Sequence, residues 1–111
     1  MRNADSQALS AVIKEVGGSL QGSLGRVRYI RLCPVEDTFG WHIVFETGDG
    51  LATLILVPGE KLRGHETAIS GGWNALVRPA RGGYYAIVTA SADATWRFDR
   101  LLQERVDWVG V

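Results

Sequence analysis

Few of the residues that staple, anchor or ligate occur in this chain. Of 111 residues one is cysteine, Cys33, so no internal disulfide exists and a disulfide framework of the kind found in small oxidised domains is excluded. Twelve basic side chains balance twelve acidic ones. The protein therefore lacks the global positive field that gathers DNA, RNA or anionic lipid, and nucleic acid is not an expected partner. The longest strongly apolar run, from Leu51 to Pro58, is about eight residues, against the ~20 that a membrane helix needs. The first six residues are polar and the apolar positions after them are interrupted, a pattern unlike a signal peptide. These absences leave two expectations: a cytoplasmic protein, or a soluble segment of a longer chain.

What is present suits one globular domain over residues 1–111. Forty-six per cent of residues are hydrophobic and 22% are charged, inside the range of folded domains. A chain of this size buries roughly two thirds of its unfolded surface, enough to fold without a metal or disulfide staple.

Leu9, Val12, Ile13, Val16 and Leu20 follow the spacing of one helical face. This predicts a helix from Asp5 to Val16, capped by Asp5 or Ser6 and ended by Gly17-Gly18. Ser19 to Gly25 reads as a connection. From Arg26 onward the hydrophobic period falls to two and glycine-rich breaks punctuate the chain, as strands joined by short turns require. Strands are expected at 27–33, 41–47, 51–57, 73–78 and 84–89, and Gly48-Asp49-Gly50 is the clearest hairpin signal. Breaks this short favour an antiparallel meander, because parallel crossovers need a dozen or more residues. The strand 51–57 is apolar on both faces and belongs in the centre. Ser91 to Arg105 is a second helix, with Ala94, Phe98, Leu101 and Leu102 on one side and Trp96 on the other. Val106 to Val109 reads as a short edge strand. The expected fold class is α+β: an antiparallel sheet of about five strands with an N-terminal and a C-terminal helix packed on it.

Candidate chemistry concentrates where two strands meet. Cys33-Pro34 ends one strand and His42 begins the next, across a loop holding Asp37, Thr38 and Gly40, so thiol and imidazole are expected at one end of the sheet. A thiol beside an imidazole is a potential nucleophile, since the base helps form the thiolate. The same pair offers two ligands to a soft or borderline metal. Cys-Pro can also supply a thiolate to haem, with His65 as a second ligand. The structural alternative is a small buried cysteine and a hydrogen-bonded sheet histidine, and it outweighs these. The serines lack a Gly-x-Ser-x-Gly elbow, the adjacent Glu36-Asp37 pair reads as a solvated turn, and the glycine pairs lack the context of a phosphate loop. No catalytic residue and no obligatory cofactor is assigned. Arg78, Tyr85 and Trp96 are candidates for an interaction surface, because arginine and large aromatics dominate protein contacts.

The run Gly25 to Pro34, followed by Gly40-Trp41-His42-Ile43-Val44-Phe45 and Gly50 to Glu60, resembles the soluble C-terminal domain of an uncharacterised family of bacterial membrane-tethered, anti-sigma-factor-like proteins. Its pattern is a cysteine, a Gly-x-His eight or nine residues on, then a glycine leading into Thr-hydrophobic-hydrophobic-hydrophobic-Pro. Cys33, Gly40, His42, Gly50, Thr53 and Pro58 match it. Leu51-Ala52 departs from the family's more usual Pro-Val. The resemblance implies a periplasmic module, membrane-attached only through a segment absent from this chain, that senses or binds a protein partner or itself.

Overall fold

The computed structural model describes residues 2–60 and 66–108. Helix α1 (Arg2–Glu15) leads into strand β1 (Gly18–Leu20), and six longer strands follow: β2 (Arg26–Val35), β3 (Thr38–Thr47), β4 (Gly50–Pro58), β5 (Glu66–Ser70), β6 (Trp73–Ala80) and β7 (Gly83–Thr89). Helix α2 (Ala92–Arg105) and strand β8 (Val106–Trp108) complete the chain. The α+β class and the two helices packed on an antiparallel sheet agree with the sequence pattern. The main sheet has six strands in the order β2-β3-β4-β7-β6-β5.

That order contains two three-stranded meanders. β2, β3 and β4 fold back and forth as neighbours; the chain then passes to the far edge, and β5, β6 and β7 return until β7 meets β4. The pairing runs from Thr53↔Val88 to Pro58↔Gly83. The far edge, β5, is not among the expected strands. Its five residues, Glu-Thr-Ala-Ile-Ser, carry only two apolar side chains, too few for an alternation to stand out. Its hairpin to β6 turns on Gly71 and Gly72, both with positive φ, the backbone that a two-residue turn of this hand needs.

Three boundaries differ from expectation. α1 begins at Arg2, ahead of the Asp5 and Ser6 caps, so these residues lie within the helix. The connection expected at Ser19–Gly25 starts with β1, which pairs antiparallel with β8 in a separate two-stranded sheet. Val106–Trp108 is therefore an edge strand of that small sheet and not of the large one. Residues too short to show a period acquired strand geometry from each other.

Both helices lie on one face of the main sheet. Leu9, Val12 and Ile13 of α1, Val16 just after it, and Phe98 and Leu102 of α2 share one buried cluster with Ile43, Phe45, Leu54, Leu56, Tyr85 and Ile87 of the strands. Phe45 and Phe98 meet with ring centroids 5.3 Å apart. Ser91 caps α2, its hydroxyl accepting from the Ala94 backbone N–H at 3.1 Å. α1 ends against the β6–β7 turn, where the Gly82 N–H donates to the Val16 carbonyl at 3.0 Å. A Cβ on Gly82 would press into the backbone of Glu15 and Val16 at 3.1–3.3 Å, so glycine sets this close approach.

Leu54 and Leu56 are wholly buried at the sheet centre. Leu54→Ala is expected to lower unfolding free energy by about 2–5 kcal/mol, read from urea denaturation, because a core truncation loses transfer energy and leaves a cavity. Gly83→Ala is expected to prevent native folding altogether, seen as loss of a cooperative melt, since its Cβ would overlap the Val57 carbonyl oxygen.

Candidate functional site

Strand alternation sends every second residue away from the helices. On that side the registers align Tyr29, Val44, Thr53, Val88 and Ala75 in one row across the sheet. Arg31, His42, Ile55, Ala86 and Val77 form the next row; beyond it Cys33 pairs with Gly40 on one side, and Val57, Tyr84 and Pro79 align on the other. No described helix packs on these rows. From Val44 to Val77 the centre is uncharged and made mostly of β-branched and small side chains.

Part of the open face is nevertheless closed off from solvent. Val57 is fully buried and Val44 nearly so, while Thr53, Ile55, Val77 and Val88 are half-buried. Gly40 explains part of this. With no side chain there, Val35 and Val57 close over it, and an added Cβ would stand 2.9 Å from Val35 Cγ2 and 3.1 Å from Val57 Cγ2. Tyr84, which pairs with Val57, has its phenol pKa pushed up first by burial and then by the charges of Glu36 and Glu60.

Charge gathers at the β2 edge. Arg26 and Arg28 stand 3.8 and 3.4 Å from Glu46, and the Arg31 guanidinium lies 5.1 Å from the centre of the Tyr29 ring. These exposed pairs contribute little stability. They do blunt the edge: a register shift between Val27 and Tyr29, three arginines and Pro34 all interfere with a further strand adding to β2.

The structure brings Cys33 and His42 together on paired strands, with a shorter turn between those strands than expected. The intervening loop is only Glu36-Asp37; Thr38 and Gly40 belong to β3. Cys33 pairs with Gly40 and His42 with Arg31, so thiol and imidazole are diagonal neighbours on the open face, both half-buried. His42 Nε2 is buried without a hydrogen-bond partner among the described residues. Among the described residues no group of three or more His, Cys, Asp or Glu side chains is arranged to hold a metal. His65, the second haem ligand considered, lies outside the described residues.

The expected interaction surface of Arg78, Tyr85 and Trp96 has a different character. These residues do come together, but around a charge that sequence reading missed. Asp99 on α2, 4% exposed, accepts from Arg78 Nε and Nη2 at 2.9 and 3.0 Å and from the Tyr85 hydroxyl at 3.3 Å. Gln103 donates to the same hydroxyl at 2.6 Å. Tyr85, 1% exposed, stacks on Trp108 at 5.1 Å and belongs to the core, not to a surface. Trp96 alone is substantially exposed, with the Arg78 guanidinium 5.8 Å from its ring. The signal available in sequence was Asp99 one residue after Phe98, on the buried flank of α2. A carboxylate there needs a cationic partner from the sheet.

No family model, curated protein or solved structure matches the chain.

Asp99→Ala is expected to cost about 2–4 kcal/mol in chemical denaturation, because it strands the half-buried Arg78 guanidinium and removes a partner of Tyr85. Tyr85 also sets an alkaline limit. Burial, and then the Asp99 charge, raise its phenol above the ordinary value of 10.0. The folded state thus holds this proton more tightly than the unfolded state. Its contribution is complete below about pH 10 and is lost as pH climbs toward the folded pKa. Melting temperature measured from pH 8 to 12 should fall above pH 10, and Tyr85→Phe should flatten that fall.

Proposed function

We propose that this protein is a noncatalytic protein-interaction module that self-associates through the open face of its main sheet, as part of a membrane-tethered bacterial regulator, on the periplasmic side. The observation that carries the reading is a sheet face opposite the two helices whose centre, made of Val44, Thr53, Ile55, Val88, Ala86 and Val77, is apolar, with its arginines confined to the β2 edge. Apolar patches of this kind on soluble domains mark contact sites. The resemblance to membrane-tethered, anti-sigma-factor-like proteins supports the regulatory and periplasmic setting. Among the described residues no helix is long and apolar enough to cross a membrane, so tethering would rest on a segment other than these.

Size and charge favour a second copy as the occupant. Six strands spaced by about 4.8 Å, over six or seven residues of about 3.3 Å each, give a face of roughly 500–600 Å². Two such faces bury roughly 1,000–1,200 Å², which reaches the lower bound for a specific interface. A two-fold axis along the strands lays the β2 edge of one copy over the β5 edge of the other. The arginine-rich edges then stay apart while the neutral centres meet. Edge pairing at β2 is blunted by charge, bulge and proline, which leaves the face as the better contact.

A second reading, a metal- or haem-binding sensor using Cys33 and His42, draws on the buried His42 Nε2, which has no partner among the described residues. Elemental analysis and an absorption spectrum of the purified protein separate the two. Under the leading reading neither shows a stoichiometric cofactor. Metal or haem lost on His42→Ala would replace it with the second.

Sedimentation equilibrium over a wide concentration range tests self-association directly. The wild type should double in mass with a dissociation constant on the order of micromolar. Val88→Lys and Thr53→Arg, at the centre of the face, should stay monomeric with melting temperatures near that of the wild type. A wild type that remains monomeric at millimolar concentration, or variants that dimerise equally well, would refute the proposal.

A further inference from the structure

A cavity of about 170 Å³ opens on the helix side, where the tip of the β3–β4 hairpin overhangs α2. Its walls are mainly apolar: Ala52, Ala94 and Phe98 are buried, and Leu101 is partly buried. The hydroxyls that line it are already engaged. Thr47 Oγ1 donates to the Gly50 carbonyl at 2.8 Å and accepts from the Asp49 N–H at 3.0 Å. Thr89 Oγ1 donates to the Ser91 carbonyl at 2.6 Å and lies 2.7 Å from Thr95 Oγ1. Two lining residues are charged, Arg97 and Asp49. They meet as a two-pronged pair, Arg97 Nε to Asp49 Oδ2 at 2.8 Å and Arg97 Nη2 to Asp49 Oδ1 at 3.1 Å.

That pair is exchangeable. Both side chains are well exposed, 55% for Arg97 and 42% for Asp49, so water competes for each of them. Asp49 sits between Gly48 and Gly50 at the hairpin tip, where a Cβ at either glycine meets nothing within 4 Å. Its carboxylate has room to swing away. Arg97 would then present a guanidinium fork, whose geometry matches a carboxylate, beside an apolar chamber. A chamber of this volume is close to that of engineered cavities that admit benzene.

We propose that this cavity is a binding site for a small organic acid with a compact apolar body. The acid's carboxylate takes the place of Asp49 on Arg97, and its body rests against Ala52, Ala94 and Phe98. Asp49 is thus a built-in competitor that occupies the guanidinium when no ligand is bound. The inference is independent of self-association, since cavity and open face lie on opposite sides of the sheet.

Benzoate is the probe, with toluene as its uncharged counterpart, each titrated into isotopically labelled protein and followed by amide chemical shifts. Benzoate should saturate the wild type at millimolar concentration, shifting resonances of the hairpin tip and the first turns of α2. Asp49→Asn removes the competitor and should tighten benzoate binding about fivefold. Arg97→Gln should weaken it about tenfold or more. Toluene should bind all three proteins alike. Both substitutions are at exposed side chains, and unchanged spectra elsewhere confirm the fold. An Asp49→Asn affinity no tighter than that of the wild type, an Arg97→Gln variant that keeps its preference for benzoate over toluene, or no benzoate shifts in any of the three would overturn the proposal.

Discussion

The pairing of β4 with β7 is the constraint on which the rest of the molecule depends, because it is where two locally folded meanders become one sheet. β2 to β4 and β5 to β7 each form through turns of two residues, at little cost in loop entropy. Joining them brings residues about thirty positions apart into register and has no such local help. Side chains supply the compensation. Leu54 and Leu56 meet Ile87 and Tyr85 under the helices, while Thr53, Ile55 and Val57 meet Val88, Ala86 and Tyr84 on the other side. A strand apolar on both faces is what such a junction requires, and β4 is that strand.

The helices are secured to this junction from opposite ends. The C-terminus of α1 abuts the β6–β7 turn through the glycine contact at Gly82, and α2 is clamped to β6 and β7 by Asp99, Arg78 and Tyr85. β1 and β8 then tie the segments after the two helices to each other. Both helices are thereby committed to one face. The second face of β4 is packed against no described helix, although its residues are as apolar as those of many buried strands. Val35 and Val57 close over Gly40 and hide part of that surface, with Val57 the clearest case. Val88, Ile55 and Val77 remain half-exposed. The proposed self-association rests on this asymmetry of the fold more than on any single side chain.

How much of this could be read in advance depended on length and period. The helix 92–105 and the strands around Ile43, Leu54, Leu76 and Ile87 carry enough alternating or helical apolar positions to declare themselves. β1, β5 and β8 have three to five residues each and owe their geometry to their partners. Strand order was harder still. A break of Pro58-Gly59 reads the same whether the next strand lies alongside or two strands away, since turn chemistry specifies where a strand ends and not where the following one goes. The position of Cys33 and His42 depended on the same distinction. Placing the turn at Glu36-Asp37 sets both residues inside their strands, as diagonal neighbours on β2 and β3.

The Arg78 cluster shows why residue type alone misassigns a surface. Arginine and large aromatics are enriched both in protein interfaces and at places where a helix must be held on a sheet by something more specific than oil-like packing. What separates the two roles is the partner. Arg78 and Tyr85 converge on a carboxylate that water barely reaches, so their donors are already spent inside the molecule. Arg97 uses the same fork on Asp49, but at a mouth open to solvent and beside an unfilled apolar chamber. One arginine–carboxylate pair therefore closes the fold, and the other leaves a donor that a competing carboxylate can capture.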